Sequence, residues 1–186
     1  MRTIAIALGV GLVTLCGCQQ KDAQETGQSG PDPVILHQAM KDIVAPQAQV
    51  LWDITNNAMN NNGDIDPALL KPADWARIAD AGAQLKAKAH ALAAATQITV
   101  AAPGEKIQDQ ESPGGSSAAD VKRFIDADRQ GFSDMAGTLA SSADEFVAAA
   151  RARDTARLAV PVQGLDEVCE ACHVKYWYPQ QVSQKK

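Results

Sequence analysis

Apolar side chains recur at the 3.6-residue spacing of an α-helix in four stretches of the chain, and this pattern constrains the fold most strongly. No stretch alternates apolar and polar residues in the way a half-buried β-strand does. Four amphipathic helices bury their apolar faces against one another, so the pattern predicts an all-α fold, an antiparallel four-helix bundle. The four stretches are residues 34–58, 75–96, 121–150 and 165–176.

Breaks in the pattern divide the chain. Pro46 is expected to kink or divide the first helix, because proline removes a helical hydrogen bond. The segment 98–117 is rich in Pro, Gly, Ser and charge, and we expect a long, mobile loop there. Asp128 lies on the apolar stripe of the third stretch and needs a partner or water.

Composition excludes several classes of protein. Aromatic residues are only 4% of the chain and alanine is abundant, which argues against an all-β sandwich or barrel. Acidic side chains outnumber basic ones, 22 to 17, and no basic run occurs, so nucleic acid is not expected as a partner. Only the N-terminal segment is apolar enough to enter a membrane, which excludes a multi-span membrane protein.

The N-terminus is typical of an export signal. Arg2 is followed by an apolar run of about a dozen residues. The run ends in Leu15-Cys16-Gly17-Cys18, which resembles a bacterial lipobox and predicts a signal peptide over 1–17 with lipidation at Cys18. Residues 18–33 then form a flexible tether. Because Gln19 follows Cys18, the resemblance implies the periplasmic face of the outer membrane of a Gram-negative bacterium; an ordinary cleaved signal is the alternative.

One short motif carries chemistry: Cys169-Glu170-Ala171-Cys172-His173. C-x-x-C-H is the attachment signature of c-type haem. Residues i and i+3 share one face of a helix, so the two thiols can reach the two vinyl groups of one porphyrin. His173 follows on the same helix and can bind the iron axially. The motif predicts one covalently bound haem c.

Other interpretations of the motif are weaker. A redox C-x-x-C does not require the adjacent histidine. A zinc site needs four ligands, and His37 and His90 are the other histidines of the chain. A disulfide between Cys169 and Cys172 would close a very small loop and constrain little. No paired carboxylates, nucleophile–base set or phosphate loop suggests an enzyme.

The chain resembles the class II cytochromes c, the cytochrome c-prime and cytochrome c-556 family, in a lipoprotein-like branch. The resemblance rests on the C-terminal C-x-x-C-H and on the local patterns of residues 40–52, 72–75 and 148–154, and it places the cytochrome domain at 34–180. It implies a four-helix bundle with the haem on its last helix, and a possible homodimer. Five-coordinate members of this family often carry an arginine in the first helix near the haem propionates, where this chain has Lys41 as the nearest substitute.

The second axial ligand decides the function. Helix arithmetic, at about 1.5 Å per residue, puts Met40 level with His173, while Phe124 and Ile125 form an apolar haem wall. Met40 is the expected ligand and His37, three residues earlier, is its rival. Two protein ligands indicate a membrane-tethered electron carrier with redox partner proteins. An open site indicates a protein that binds or scavenges nitric oxide or carbon monoxide, and a haem that only stabilises an adaptor bundle is a third reading.

Overall fold

The computed structural model describes residues 33–179, which form a bundle of antiparallel helices, as predicted. Each of the four predicted stretches is mainly helical, although two of them are divided and residues 34 and 35 at the start of the first form a short strand. The helical elements in chain order are α1 (Leu36–Ala39), a π-helical turn (Met40–Val44), α2 (Ala45–Asn57), a 3-10 turn (Pro67–Leu69), α3 (Pro72–Ala94), α4 (Ala118–Ala127), α5 (Arg129–Ala152) and α6 (Thr155–Tyr176).

The first helix changes its winding just before Pro46. The π-helical turn separates α1 from α2, and the backbone N–H of Ala45 donates to the carbonyl of Met40, five residues earlier. Pro46 cannot donate a hydrogen bond, and its ring crowds the carbonyl four residues before it, so the wider turn accommodates the proline. The predicted division of this helix is therefore observed.

The third predicted helix is broken at Asp128. This residue leaves helical geometry, with φ −144° and ψ 67°, and its carboxylate caps α5 by accepting from the backbone N–H of Gly131 at 3.0 Å. The prediction of one continuous helix over 121–150 was wrong. The apolar stripe keeps its register across the break, so the periodicity of the apolar residues gave no sign of it. The partner required by Asp128 is Lys175, whose Nζ lies 2.5 Å from Oδ2.

The last helix is longer than predicted. It begins at Thr155, ten residues before the predicted start, because the side chain of Asp154 accepts from the backbone N–H of Arg157 at 2.9 Å and caps the helix. Pro161 lies inside this helix and is buried. Residues 153 and 154 alone join α5 to α6, so the two helices pack as antiparallel neighbours.

Several element ends meet at one end of the bundle, which we call the motif end. The hydroxyl of Tyr176, at the end of α6, donates to the carbonyl of Asp128 at 3.0 Å. Arg129, at the start of α5, donates through Nη2 to the carbonyl of Ala95, just after α3. Strand β1 (Val34–Ile35) pairs in parallel with β2 (Ile98–Thr99) and holds the start of the first helix there.

The segment 98–117 has more structure than predicted. Ile98, Val100, Ile107 and Ser116 are buried, and β2 adds a two-residue strand that the sequence pattern did not indicate. The apolar side chains among these pack against the bundle, so the segment is not a loop without structure; its mobility stays a prediction.

The predicted signal peptide, Cys18 and nearly all of the tether lie outside the described residues. Within residues 33–179, none of the helices combines the length and the apolarity needed to cross a membrane.

Candidate haem-attachment site

The C-x-x-C-H motif lies in the last two turns of α6. Cys169 and Cys172 are free thiols, both half-buried, one helical turn apart. Tyr176 continues the same face at i+4 from Cys172 and is buried in the core. The face that carries the two thiols is therefore the face that α6 turns toward the bundle.

Burial keeps the motif side chains uncharged. It raises the pKa of Cys169, assisted by the charge of Asp166, and raises the pKa of Cys172 to about 11. Burial also lowers the pKa of His173, against the opposing charges of Glu170 and Asp166. At neutral pH the site thus presents two thiols and a neutral imidazole, which is the form of histidine that binds a metal.

Two aromatic rings lie beside His173. The ring of Trp177 stands edge-on to the imidazole, with centroids 4.9 Å apart and an angle of 85°. Tyr178 is the third member of the cluster, 6.0 Å from His173. The indole N–H of Trp177 donates to the carbonyl of Gln108 at 3.2 Å, so the segment 98–117 is attached to the end of the motif helix.

Contacts with Asp128 hold the end of α6 against the start of α5. The Lys175 ammonium is 2.5 Å from the Asp128 carboxylate, and this hydrogen bond is the main cause that lowers the pKa of Asp128. The buried Tyr176 adds its hydrogen bond to the Asp128 carbonyl and an edge-to-face contact with Phe132, at 5.5 Å between centroids. The break in the predicted third helix is therefore the point that anchors the haem motif.

The two candidate second ligands lie on the first helix at the same end. Met40 is half-buried against the core and opens the π-helical turn. It is four residues from the start of α1, about 6 Å along the axis, while His173 is three residues, about 4.5 Å, from the end of α6. His37 is one turn earlier; its Nδ1 lies 3.0 Å from Oε1 of Glu105, although the contact is not aligned as a hydrogen bond.

The predicted haem wall lies on α4, which packs against α6. Ile125 is fully buried and Phe124 is half-buried, with the Arg123 guanidinium carbon 4.7 Å from the centre of its ring. The axial level predicted for these two residues was counted along a continuous third helix. The break at Asp128 shows that this helix is divided, so that count no longer supports their place beside the haem. Their role as a haem wall stays a prediction that rests on the packing of α4.

The other histidine and two other methionines of the described chain, His90, Met135 and Met59, differ in their exposure. His90 is exposed. Met135 packs against the core, whereas Met59 is 37% exposed and is not a core residue. Within residues 33–179, no group of three or more His, Cys, Asp or Glu side chains is arranged to hold a metal ion.

Several residues around the motif were not predicted from the sequence. Trp177 and Tyr178 were not assigned a place, although an aromatic run directly after C-x-x-C-H was the available signal. Nothing in the sequence pattern pointed to Glu105 beside His37 or to Arg129 at the break, because both contacts depend on how separate segments meet.

The residues at the motif end fit a covalently attached haem. Two free thiols share a face of one helix, and a neutral imidazole follows them. Nη1 of Arg129 is buried and has no hydrogen-bond partner, which suits a cofactor that carries carboxylates.

Comparison with known proteins gives one match. The model of the family described as Cytochrome C' matches residues 71–177, from the start of α3 to just past the end of α6. No curated protein and no solved structure gives a significant match. The matched segment covers more than half of the chain and contains the whole C-x-x-C-H motif, and this family of helical bundles carries covalently bound haem c. The chain therefore belongs to the Cytochrome C' family and is a haem-binding c-type cytochrome.

Proposed function

We propose that this protein is an electron carrier, not an enzyme, with a single haem c and two protein ligands to its iron. Cys169 and Cys172 hold the haem, His173 is one axial ligand and Met40 is the other. The observation that carries the proposal is the pair of free, half-buried thiols one turn apart on α6, followed directly by a half-buried neutral imidazole. A bound haem c supplies a one-electron couple between ferric and ferrous iron.

The surroundings of His173 keep the imidazole in place. Trp177 and Tyr178 limit its rotation by their ring contacts, and Tyr176 and Lys175 fix the helix end to Asp128. A ligand whose orientation is held by packing keeps the same geometry in both oxidation states. Little rearrangement then accompanies electron transfer to or from a partner protein.

Met40 is the favoured second ligand for three reasons. It lies at the same end of the bundle as His173 and at nearly the same axial level. It is half-buried against the core, and its unbranched side chain is flexible enough to turn toward a cofactor bound there. It also opens a π-helical turn, an irregularity that is frequent at functional sites.

His37 remains the rival ligand, and one contact favours it. The Glu105 carboxylate beside Nδ1 leaves Nε2 as the free nitrogen of the ring. Histidines that bind metals commonly have such a carboxylate at their second nitrogen. If neither residue binds, the iron has an open position and the protein would bind nitric oxide or carbon monoxide.

Absorption spectra of the haem-loaded protein test the ligation. We expect a low-spin oxidised spectrum with the weak far-red band of methionine bound to ferric iron. Met40→Ala should abolish this band and allow carbon monoxide to bind, while Met135→Ala, a matched change in the half-buried core of α5, should leave it unchanged. A high-spin wild-type spectrum would establish the gas-binding function instead. A low-spin spectrum lost in His37→Ala but not in Met40→Ala would assign the ligand to His37.

We further propose that the mature protein is anchored by a lipid at Cys18 and faces the periplasm from the outer membrane. The support is the sequence Leu15-Cys16-Gly17-Cys18, with Gln19 after it. Stable anchoring needs more than one acyl chain, which lipoprotein modification supplies. Cell fractionation should find the wild type and Cys16→Ser in the membrane and Cys18→Ser in the soluble fraction. Equal distribution of wild type and Cys18→Ser would refute the anchor.

A further inference from the structure

One nitrogen of the Arg129 guanidinium is buried and lacks a hydrogen-bond partner. Arg129 is the first residue of α5, directly after the break at Asp128. Its Nη2 donates to the carbonyl of Ala95, and its guanidinium carbon lies 5.3 Å from the centre of the Phe132 ring. Its Nη1 is buried and makes no hydrogen bond.

No acidic side chain within residues 33–179 lies within ion-pair distance of Arg129. The adjacent Asp128 is already committed to Lys175 and to the backbone N–H of Gly131. An arginine guanidinium stays charged in proteins, and a buried charged donor without a partner is costly. The position of Nη1 therefore requires an acceptor, and an anion suits it best.

The guanidinium lies on the side of the bundle toward which the motif thiols turn. The Phe132 ring beneath Arg129 contacts the Tyr176 ring, and Tyr176 shares a helix face with Cys169 and Cys172. A haem joined to these thiols by its vinyl edge carries two propionate carboxylates at the opposite edge. We propose that the Arg129 guanidinium binds a haem propionate through Nη1, an inference that rests on attachment of haem at the motif but not on the identity of the second ligand.

The test compares Arg129→Gln with Arg157→Gln in the haem-loaded protein. Arg157 pairs with Glu145 at the opposite end of α6, about 24 Å along the helix from His173, so its loss removes the same charge far from the haem. Arg129→Gln should shift the propionate bending band in the resonance Raman spectrum. It should also lower the midpoint potential, because an uncompensated carboxylate stabilises ferric iron. We expect a change of up to about tenfold in the one-electron equilibrium, which is about 59 mV. Arg157→Gln should change neither quantity.

A second measurement does not depend on the variant folding. In a crystal structure of the wild-type haem-loaded protein, Nη1 of Arg129 should lie within hydrogen-bond distance of a propionate oxygen, about 2.7–3.2 Å. Nη1 bound only to water, or an Arg129→Gln variant with unchanged band and potential, would overturn the proposal. Equal shifts in Arg129→Gln and Arg157→Gln would also overturn it, since a long-range charge effect would then suffice. Absence of any haem signal from the wild type would overturn the attachment site itself, which separates the two failures.

Discussion

Gly82 sets the closest approach of the two helices that form the centre of the bundle, and its replacement by alanine should destabilise the protein. The glycine is buried in α3 where it faces α5. A Cβ atom there would lie 3.1 Å from the carbonyl oxygen of Ala143, 3.1 Å from Cγ2 of Val147 and 3.2 Å from Cβ of Phe146. Two of these three atoms are a backbone oxygen and a Cβ, neither of which can rotate away.

Two opposing effects determine the result. Replacing glycine by alanine inside a helix gains about 1 kcal/mol of helix propensity. Forcing a methyl group into a well-packed contact costs about 1–3 kcal/mol. The backbone contact puts Gly82→Ala toward the upper part of that cost, so we expect a net loss of roughly 1–2 kcal/mol in the free energy of unfolding. For a chain of this size that corresponds to a fall of about 2–8 °C in Tm.

Gly137→Ala provides the matched control. Gly137 lies inside α5, and a Cβ there would meet nothing within 4 Å, so only the gain of about 1 kcal/mol remains. Urea unfolding of the haem-loaded protein, followed by far-UV circular dichroism, measures both variants. The free energy of unfolding should fall in Gly82→Ala and rise in Gly137→Ala. Stabilisation of Gly82→Ala by as much as Gly137→Ala would refute the claim that α3 and α5 pack at this distance.

Three further predictions concern Tyr176 and Trp177 at the motif end and Asp120 in the first turn of α4. Tyr176→Phe removes the hydroxyl that binds the carbonyl at the start of α5, and thermal unfolding should show a loss of about 1 kcal/mol. Asp120 and Ser117 form a capping box at the start of α4, and hydrogen bonds that Ser117 and Arg123 donate to the Asp120 carboxylate lower its pKa from 3.8 to about 2. Because the pKa is lower in the folded state, the ionised Asp120 carboxylate contributes fully to the free energy of unfolding above pH 3.8, and this contribution is lost as the pH falls through 2. Acid titration should therefore reduce the stability difference between wild type and Asp120→Asn. Trp177→Phe removes the donor to the Gln108 carbonyl, and limited proteolysis should cut the segment 98–117 faster than in the wild type.

The sequence pattern was sufficient to predict a helix where local signals for the helix start agree with the periodicity of the apolar residues. The start of α3 is marked by Pro72 at its first position and by Asp74, whose carboxylate accepts from the backbone N–H of Lys71 at 2.9 Å. The motif also defined its own geometry, since the spacing of Cys169 and Cys172 fixes their common face once the segment is helical. The fold class could therefore be predicted from the chain alone, whereas haem attachment at these two cysteines stays a prediction.

Breaks in the helices could not be predicted from periodicity. A stripe of apolar residues shows which face of a helix is buried, but not whether the helix is continuous. The stripe from Val121 to Ala150 passes through Asp128 without changing register, yet the Asp128 carboxylate ends one helix and caps the next. The start of α6 was missed for the related reason that Pro161 obscures the pattern, although Asp154 was an available cap signal. The partners of His37 and Arg129 come from distant segments, which no local pattern encodes.

Covalent attachment of haem at the motif is tested most directly by the mass of the denatured polypeptide, produced in a host that attaches haem c. The wild type should retain the mass and the haem stain of one covalently bound haem after denaturation. Glu170→Gln, a change within the motif that spares its ligands, should do the same, whereas the double variant Cys169→Ala, Cys172→Ala should lose both signals. A wild-type chain without covalent haem, or a double variant that keeps it, would contradict attachment at this site.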